Sequence, residues 1–215
     1  NPELWDSKWR AIQQHALRRI LRRTRWMAGL GPFFRRWLPA EGVVLEAGCG
    51  TGIWVRRLCE NGWTALGLDY AVPTLARSRS LCPELKLVGG DARRLPLADG
   101  TLGAYVSLGV VEHFIEGPGA LLRECARVLR PGGVALISVP YDSPLRSKLP
   151  IASEPDLLES GLAFYQYYFT PGDFTSELCS AGLIPQISFR GYLTASGLDG
   201  PAAWPMCCCC CRLYW

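Results

Sequence analysis

The chain has no run of 18 apolar residues, which is about the least a helix needs to cross a bilayer. No signal peptide opens it at Asn1, and the cysteine usage leads to the expectation of a cytoplasmic protein. It has only two histidines, His15 and His113, so few groups titrate near neutral pH without help from their surroundings. No C-x-x-C pair stands apart from the run Cys207 to Cys211. Adjacent side chains cannot all converge on one ion, so no metal site is expected, and the run reads as an apolar terminal strand or an atypical tail. The other cysteines, Cys49, Cys59, Cys82, Cys125 and Cys179, are scattered singly, which excludes a disulfide framework and suits a reducing compartment. No internal repeat is visible, and neither sign of charge dominates the net +4. The distribution is uneven, however. Residues 1–38 carry Lys8 and eight arginines, including Arg18, Arg19, Arg22 and Arg23, against only Glu3 and Asp6.

What is present is concentrated in Val44-Leu45-Glu46-Ala47-Gly48-Cys49-Gly50-Thr51-Gly52. An apolar strand runs into a carboxylate, then three glycines at alternate positions, then a helix. Glycine lacks a Cβ, so backbone can lie against a ligand there. A strand-to-helix turn of this kind sits at the carboxyl end of an open α/β sheet, where ligands bind. A dinucleotide fingerprint needs a third glycine at position 53, which is Ile53, to pack helix on strand. Glu46 would also repel a pyrophosphate, whereas it suits a ligand bearing an ammonium group.

The rest alternates strands and helices, the pattern of a parallel doubly wound sheet. The expected strands are Val43–Glu46, Thr64–Asp69, Leu85–Val88, Ala104–Leu108, Val134–Val139 and Leu183–Phe189. Between them lie helices Ile53–Glu60, ending at Asn61-Gly62, then about Pro73–Leu81, Ala120–Leu129 and about Asp173–Ala181. Pro131-Gly132-Gly133 separates the third of these from its strand. With 49% hydrophobic residues the chain can bury a full core. One globular domain, 39–215, is expected behind a helical arm, 1–38.

Chemistry collects at strand ends. Asp69 lies 21 residues after Gly48, where an acid can accept both hydroxyls of a ribose; an acid at a strand end can equally be a helix cap. Asp91 closes the third strand in Gly89-Gly90-Asp91-Ala92, and it too could be an N-cap.

These residues, with Leu66-Gly67-Leu68-Asp69, Leu95-Pro96-Leu97, Val106-Ser107-Leu108-Gly109-Val110-Val111-Glu112-His113 and Leu129-Arg130-Pro131-Gly132-Gly133, resemble the class I S-adenosylmethionine (SAM)-dependent methyltransferases. The resemblance spans about residues 40–190. The order of motifs is similar to the small-molecule, ubiquinone-biosynthesis-like (methyltransferase type 11) branch. It implies an α/β Rossmann-like fold, a seven-stranded mostly parallel sheet with helices on both faces. Its last strand would slot antiparallel between the fifth and sixth. Only Cys207–Trp215 is available for that strand, with Gly197–Met206 read as loop.

The resemblance further implies SAM as cofactor. Glu46 and the loop Gly48, Cys49, Gly50, Gly52 would hold its methionyl part. Asp69, with Tyr70 beside it, would take the ribose, and Asp91 with Ala92 the adenine. Ser107 and Leu108 would line the sulfonium. The implied reaction is an in-line displacement by an acceptor nucleophile, to which the protein contributes alignment, desolvation and, where needed, a base. His113 is the candidate base; it could instead only close the loop before the next helix.

Further absences narrow the acceptor. No Asn-Pro-Pro-Tyr or Asp-Pro-Pro-Tyr follows the fourth strand, and no Pro-Cys occurs anywhere, which argues against nucleic-acid bases. The fourth strand ends in Ser107-Leu108-Gly109 rather than an acid, against the metal-dependent catechol type. A small-molecule hydroxyl or amine remains. Readings from other classes stay open: a SAM-binding partner subunit without catalysis, and a nicotinamide-dependent oxidoreductase, which Glu46 and Ile53 disfavour.

Two segments should shape the acceptor pocket. In the arm, Ile12, Ala16, Ile20 and Thr24 form a helical stripe among arginines, with Trp5, Trp9 and Trp26 adding apolar surface. The arm could be a lid over the cofactor, a membrane-surface helix, or a solvated face. The second segment, 141–169, contains Phe164-Tyr165-Gln166-Tyr167-Tyr168-Phe169, an aromatic wall or packing under the last helix. Nothing indicates the oligomeric state.

Overall fold

The computed structural model describes residues 2–10, 30–142, 164, 166–194 and 203–212. Among them, seven strands form one sheet in the order β3-β2-β1-β4-β5-β7-β6. They are β1 (Val43–Ala47), β2 (Thr64–Asp69), β3 (Leu87–Gly89), β4 (Leu102–Leu108), β5 (Leu129–Pro140), β6 (Ile184–Thr194) and β7 (Ala203–Arg212). The helices are α1 (Pro2–Arg10), α2 (Leu30–Trp37), α3 (Ile53–Glu60), α4 (Val72–Leu81), α5 (Gly119–Val128) and α6 (Pro171–Ser180), with a 3-10 turn at Val111–His113. The fold is the expected α/β Rossmann-like one.

Strands β1 to β5 pair in parallel and are apolar on both faces. Successive strand residues point to opposite sides, and the core divides accordingly. Val44, Ala104, Val106 and Leu136 face a layer with Phe34, Val55, Leu58 and Leu75 from α2, α3 and α4. Leu45, Tyr105, Ala135 and Ile137 face the other layer, with Leu121, Cys125, Phe174 and Leu178 from α5 and α6. This two-sided burial explains the near-continuous apolar runs of the parallel strands.

Local chemistry sets the helix ends. The α3 C-terminus closes with Gly62 at φ 96, while Gly62 and Trp63 N–H donate to the Cys59 and Leu58 carbonyls, the double bond of a Schellman turn. Helix α6 starts earlier than expected because Thr170 caps it, accepting the Asp173 N–H at 3.2 Å, with Pro171 at the first helical position.

Most strand boundaries differ from expectation by a few residues, and β6 runs on to Thr194 rather than ending at Phe189. Leu85 lies outside β3, because its N–H turns back to the Cys82 carbonyl. Strand β5 begins at Leu129, which pairs with Leu102; Gly132 at φ 73 bends the segment without ending it. Residues Ala203–Met206, read as loop, are strand. β7 pairs antiparallel with β5 from Arg212 to Met206 and with β6 from Arg212 to Ala203. The five consecutive cysteines therefore occupy a strand hydrogen-bonded on both edges.

The chain leaves β1 toward β2 on one side, while β4 flanks β1 on the other. Ligands of open α/β sheets bind at the carboxyl ends of strands at such a switch point.

Candidate functional site

At the carboxyl end of β1 the glycine loop curls under β2, with Gly48 and Cys49 N–H both donating to the Leu68 carbonyl at 2.7 and 3.0 Å. Gly48, Gly50 and Gly52 all have positive φ. A Cβ on Gly48 would fall 2.4 Å from Val110 Cγ2, and one on Gly50 2.5 Å from the Trp9 ring. The loop is thus a cradle that only glycine can line. Asp69 is buried and ties this cradle to β2. Its Oδ2 accepts the Gly50 N–H at 2.7 Å, and its Oδ1 accepts the Ala71 N–H at 2.9 Å. The second bond closes an Asx turn leading into α4, so Asp69 braces the loop and the start of that helix together. Each oxygen keeps a lone pair for a hydroxyl donor.

Glu46 is also buried, and its Oε2 accepts the Val55 N–H in the first turn of α3 at 2.9 Å. Burial pushes its carboxyl well above the ordinary range; the Val55 bond opposes this and the nearby Asp69 charge adds to it. Two carboxyls under one loop, one of them starved of solvation, make a site that favours a cationic group. Burial, Glu46 and Asp69 likewise push the Cys49 thiol well up. Its sulfur lies against Gly67, so Cys49 shapes the loop from beneath.

The Asp91 side is more open. Asp91 is held by Arg93, whose guanidinium reaches Oδ2 at 2.8 Å and whose backbone N–H reaches Oδ1 at 2.8 Å. That partner keeps the carboxyl below its usual range against partial burial. Arg93 also lies over the Phe114 ring at 4.9 Å. Ala92 is buried in the core. At the end of β4, Ser107 is fully buried with no partner for its hydroxyl, Leu108 is partly buried, and the Gly109 N–H donates to Ser138 Oγ at 3.1 Å. Tyr70 is half-buried; burial, then Asp69 and Asp91, raise its phenol, which takes a hydrogen bond from the Trp5 side chain.

His113 closes the 3-10 turn after β4, and its ring meets Trp5 edge-on at 4.8 Å and 65°. The aromatic segment docks beside it, with the Tyr167 N–H donating to the Glu112 carbonyl and the Tyr167 hydroxyl to that of Ile115, both at 2.8 Å. Phe169 instead packs on Phe174 at 5.2 Å, so part of this segment is core. The stripe at 12–24 and Trp26 lie outside the described residues.

Two residues escaped the sequence reading. Asp6 in α1 is buried and bonded to α4, although it is one of only two acids in the basic arm, which was the available signal. Glu112 stands beside His113 with Oε1 at 3.9 Å from Nε2, its Oε2 buried and unpartnered. Burial raises its carboxyl to about 8. The folded chain therefore keeps this proton while the unfolded chain releases it near 4.5, and wild-type stability falls as pH rises from there to about 8. Glu112→Gln should remove that slope, gaining on the order of 4 kcal/mol relative to wild type across the window. Melting temperatures of both proteins from pH 5 to 8 test this. A constant difference would mean that Glu112 is not held neutral.

Comparison with known proteins agrees with this geometry. A family model described as "Methyltransferase domain" matches residues 45–137. A Mycolicibacterium smegmatis protein named "Probable S-adenosylmethionine-dependent methyltransferase" is 39% identical over 97 residues, 45% of this chain and 37% of that one. A ubiquinone biosynthesis O-methyltransferase from Xanthomonas axonopodis pv. citri is 28% identical over 154 residues, 67% of this chain and 64% of its own. Among solved structures, the methyltransferase bound to the Haloferax volcanii Trm112 methyltransferase activator superposes with TM-score 0.66 at 16% identity, covering 99% of this chain and 96% of that one. Residues 45–137 thus match a methyltransferase domain, and the chain is similar to proteins named SAM-dependent methyltransferases. The chain spans little more than a third of the length of its mycobacterial relatives. Among the described residues no helix is long and apolar enough to cross a membrane.

Proposed function

We propose that the chain transfers a methyl group from SAM to a small-molecule acceptor, through a hydroxyl or amine. The observation that carries this reading is the Asp69 carboxylate, bonded to Gly50 N–H of a loop that only glycine can line, at the switch between β1 and β4. When bound, SAM supplies an activated methyl group on a sulfonium. Glu46 and the loop suit its ammonium end, Asp69 its ribose hydroxyls and Asp91 its adenine amine. The Ser107–Leu108 backbone borders the reacting centre. His113 takes the acceptor proton, and Trp5, Phe114 and Tyr167 wall the acceptor side. Helix α1 acts as an arm over the domain whose core α2 joins, and free thiols such as Cys49 and Cys179 suit the cytoplasm.

Labelled SAM incubated with a panel of phenols, carboxylic acids and amines tests the reaction, and a rise in melting temperature with SAM but not NADH tests the cofactor. Asp69→Ala should weaken SAM binding by about 1.5–3 kcal/mol, the scale of hydrogen bonds to a charged group. Calorimetric affinity within twofold of wild type would remove Asp69 from the site. A second reading, a SAM-binding subunit that works with a partner, is motivated by the activator bound to the Haloferax structural neighbour. Tight SAM binding with no transfer to any acceptor would favour it.

A further inference from the structure

We propose that α1 completes this site: Asp6 latches the helix onto α4, and the latch holds Trp5 as a positioning residue joining the cofactor side at Tyr70 to the acceptor side at His113. The inference rests on the methyltransferase reading for its function, though not for its geometry.

A nine-residue helix is too short to hold its shape alone in water, so docking fixes where α1 sits. Its neighbours Glu3, Ser7 and Arg10 are exposed, yet Asp6 is only 5% exposed. One oxygen of Asp6 accepts from Thr74 Oγ1 at 3.0 Å and from Arg77 at 2.8 Å, while the other accepts from Arg10 Nε at 2.6 Å. Thr74 is itself buried in the first turn of α4, so the carboxylate reaches into that helix rather than resting on it. A buried acid so fully partnered is costly to pull away.

Positions four apart share one side of a helix, and the two described indoles of α1 use that spacing. Trp9 stands on Gly50 of the cradle. Trp5 does two things at once: its N–H serves the Tyr70 phenol, and its ring meets His113. Tyr70 follows Asp69 at the end of β2, whereas His113 follows β4, so Trp5 spans the cleft between the two strand ends. The hydrogen bonds of Asp6 go to Thr74, Arg77 and Arg10 rather than to His113 or the loop. Its effect on them runs through the position of α1.

The histidine count makes this testable without an acceptor. With only two histidines, His113 ring signals in a proton–carbon NMR spectrum are assigned by comparison with His15→Gln. Trp5→Ala should displace them by removing the indole ring current. Asp6→Ala should reproduce most of that displacement from a distance, and Asp6→Asn, which keeps an acceptor for Thr74, should do so less. Thr74→Val cuts the same latch from the α4 side and should move His113 in the same direction, covering the case in which Asp6→Ala misfolds. S-adenosylhomocysteine should leave the Asp6→Ala protein about tenfold faster than wild type, the scale of losing a charged hydrogen-bonded group. An unmoved His113 signal in both Asp6→Ala and Thr74→Val would overturn the latch. If wild type binds no S-adenosylhomocysteine, the cofactor reading fails, while the NMR comparison still decides the latch.

Discussion

Gly50→Val is expected to abolish SAM binding, weakening it by more than about 100-fold, while far-UV circular dichroism stays close to wild type. Two effects act together. Gly50 sits at φ 51, a left-handed conformation that costs an L-residue roughly 1–2 kcal/mol and a β-branched one more. The larger effect is steric, since the new Cβ would stand 2.5 Å from the Trp9 ring that α1 lays on the loop. Strain in the backbone would also loosen the Gly50 N–H bond to Asp69. Gly62→Val separates the two effects. It has φ 96 with nothing within 4 Å of its Cβ, so it should lose stability and keep affinity. Adding Trp9→Ala to Gly50→Val should not restore binding, because the side chain at 50 still fills the cradle. Calorimetric binding within twofold of wild type in Gly50→Val would mean that the glycines serve only the turn.

How much of this was legible in the sequence depends on the range of the interaction concerned. The β1–loop–α3 unit is local: an apolar strand, glycines that cannot be replaced, and a helix that starts where they end. The parallel strands were visible because burial on both faces leaves a continuous apolar run. Edges were harder. β3 buries only Leu87 of its three residues, so little apolar signal marks its register, and Leu85, which looked like its start, belongs to the preceding turn. β7 carries no β-branched residue in its cysteine run, and its pairing with both β5 and β6 is set by the sheet rather than by its own preference. The latch was invisible for a simpler reason. Asp6 meets partners 68 and 71 positions away, and no periodicity encodes such a contact. Glu112 stood in plain view within the quoted motif, but its burial comes from the strands and the aromatic segment around it.

His113→Ala should lower kcat by about 10²- to 10⁴-fold if His113 is the general base, with little change in SAM affinity. The ring stands after β4 against Trp5, at a different strand end from Asp69 and Tyr70. Its removal should therefore separate turnover from cofactor binding, unlike Asp69→Ala. The size of the effect depends on the acceptor. A hydroxyl must lose its proton as the methyl arrives and would depend strongly on the base, whereas an amine that is already nucleophilic would depend on it little. The pH profile carries the decisive information. An imidazole base gives an ascending limb, near 6.5 for an ordinary histidine, and His113→Ala should erase it. Glu112 holds its proton to about 8, so it presents no charge to the ring across that limb. Glu112→Gln should therefore leave the limb in place while changing the pH dependence of stability, which distinguishes a titrating base from a titrating fold. Full activity and an unchanged profile in His113→Ala would return the residue to closing the 3-10 turn, where its N–H already bonds the Val110 carbonyl at 3.1 Å. The base would then have to be sought at Tyr167 and Tyr168 on the acceptor side.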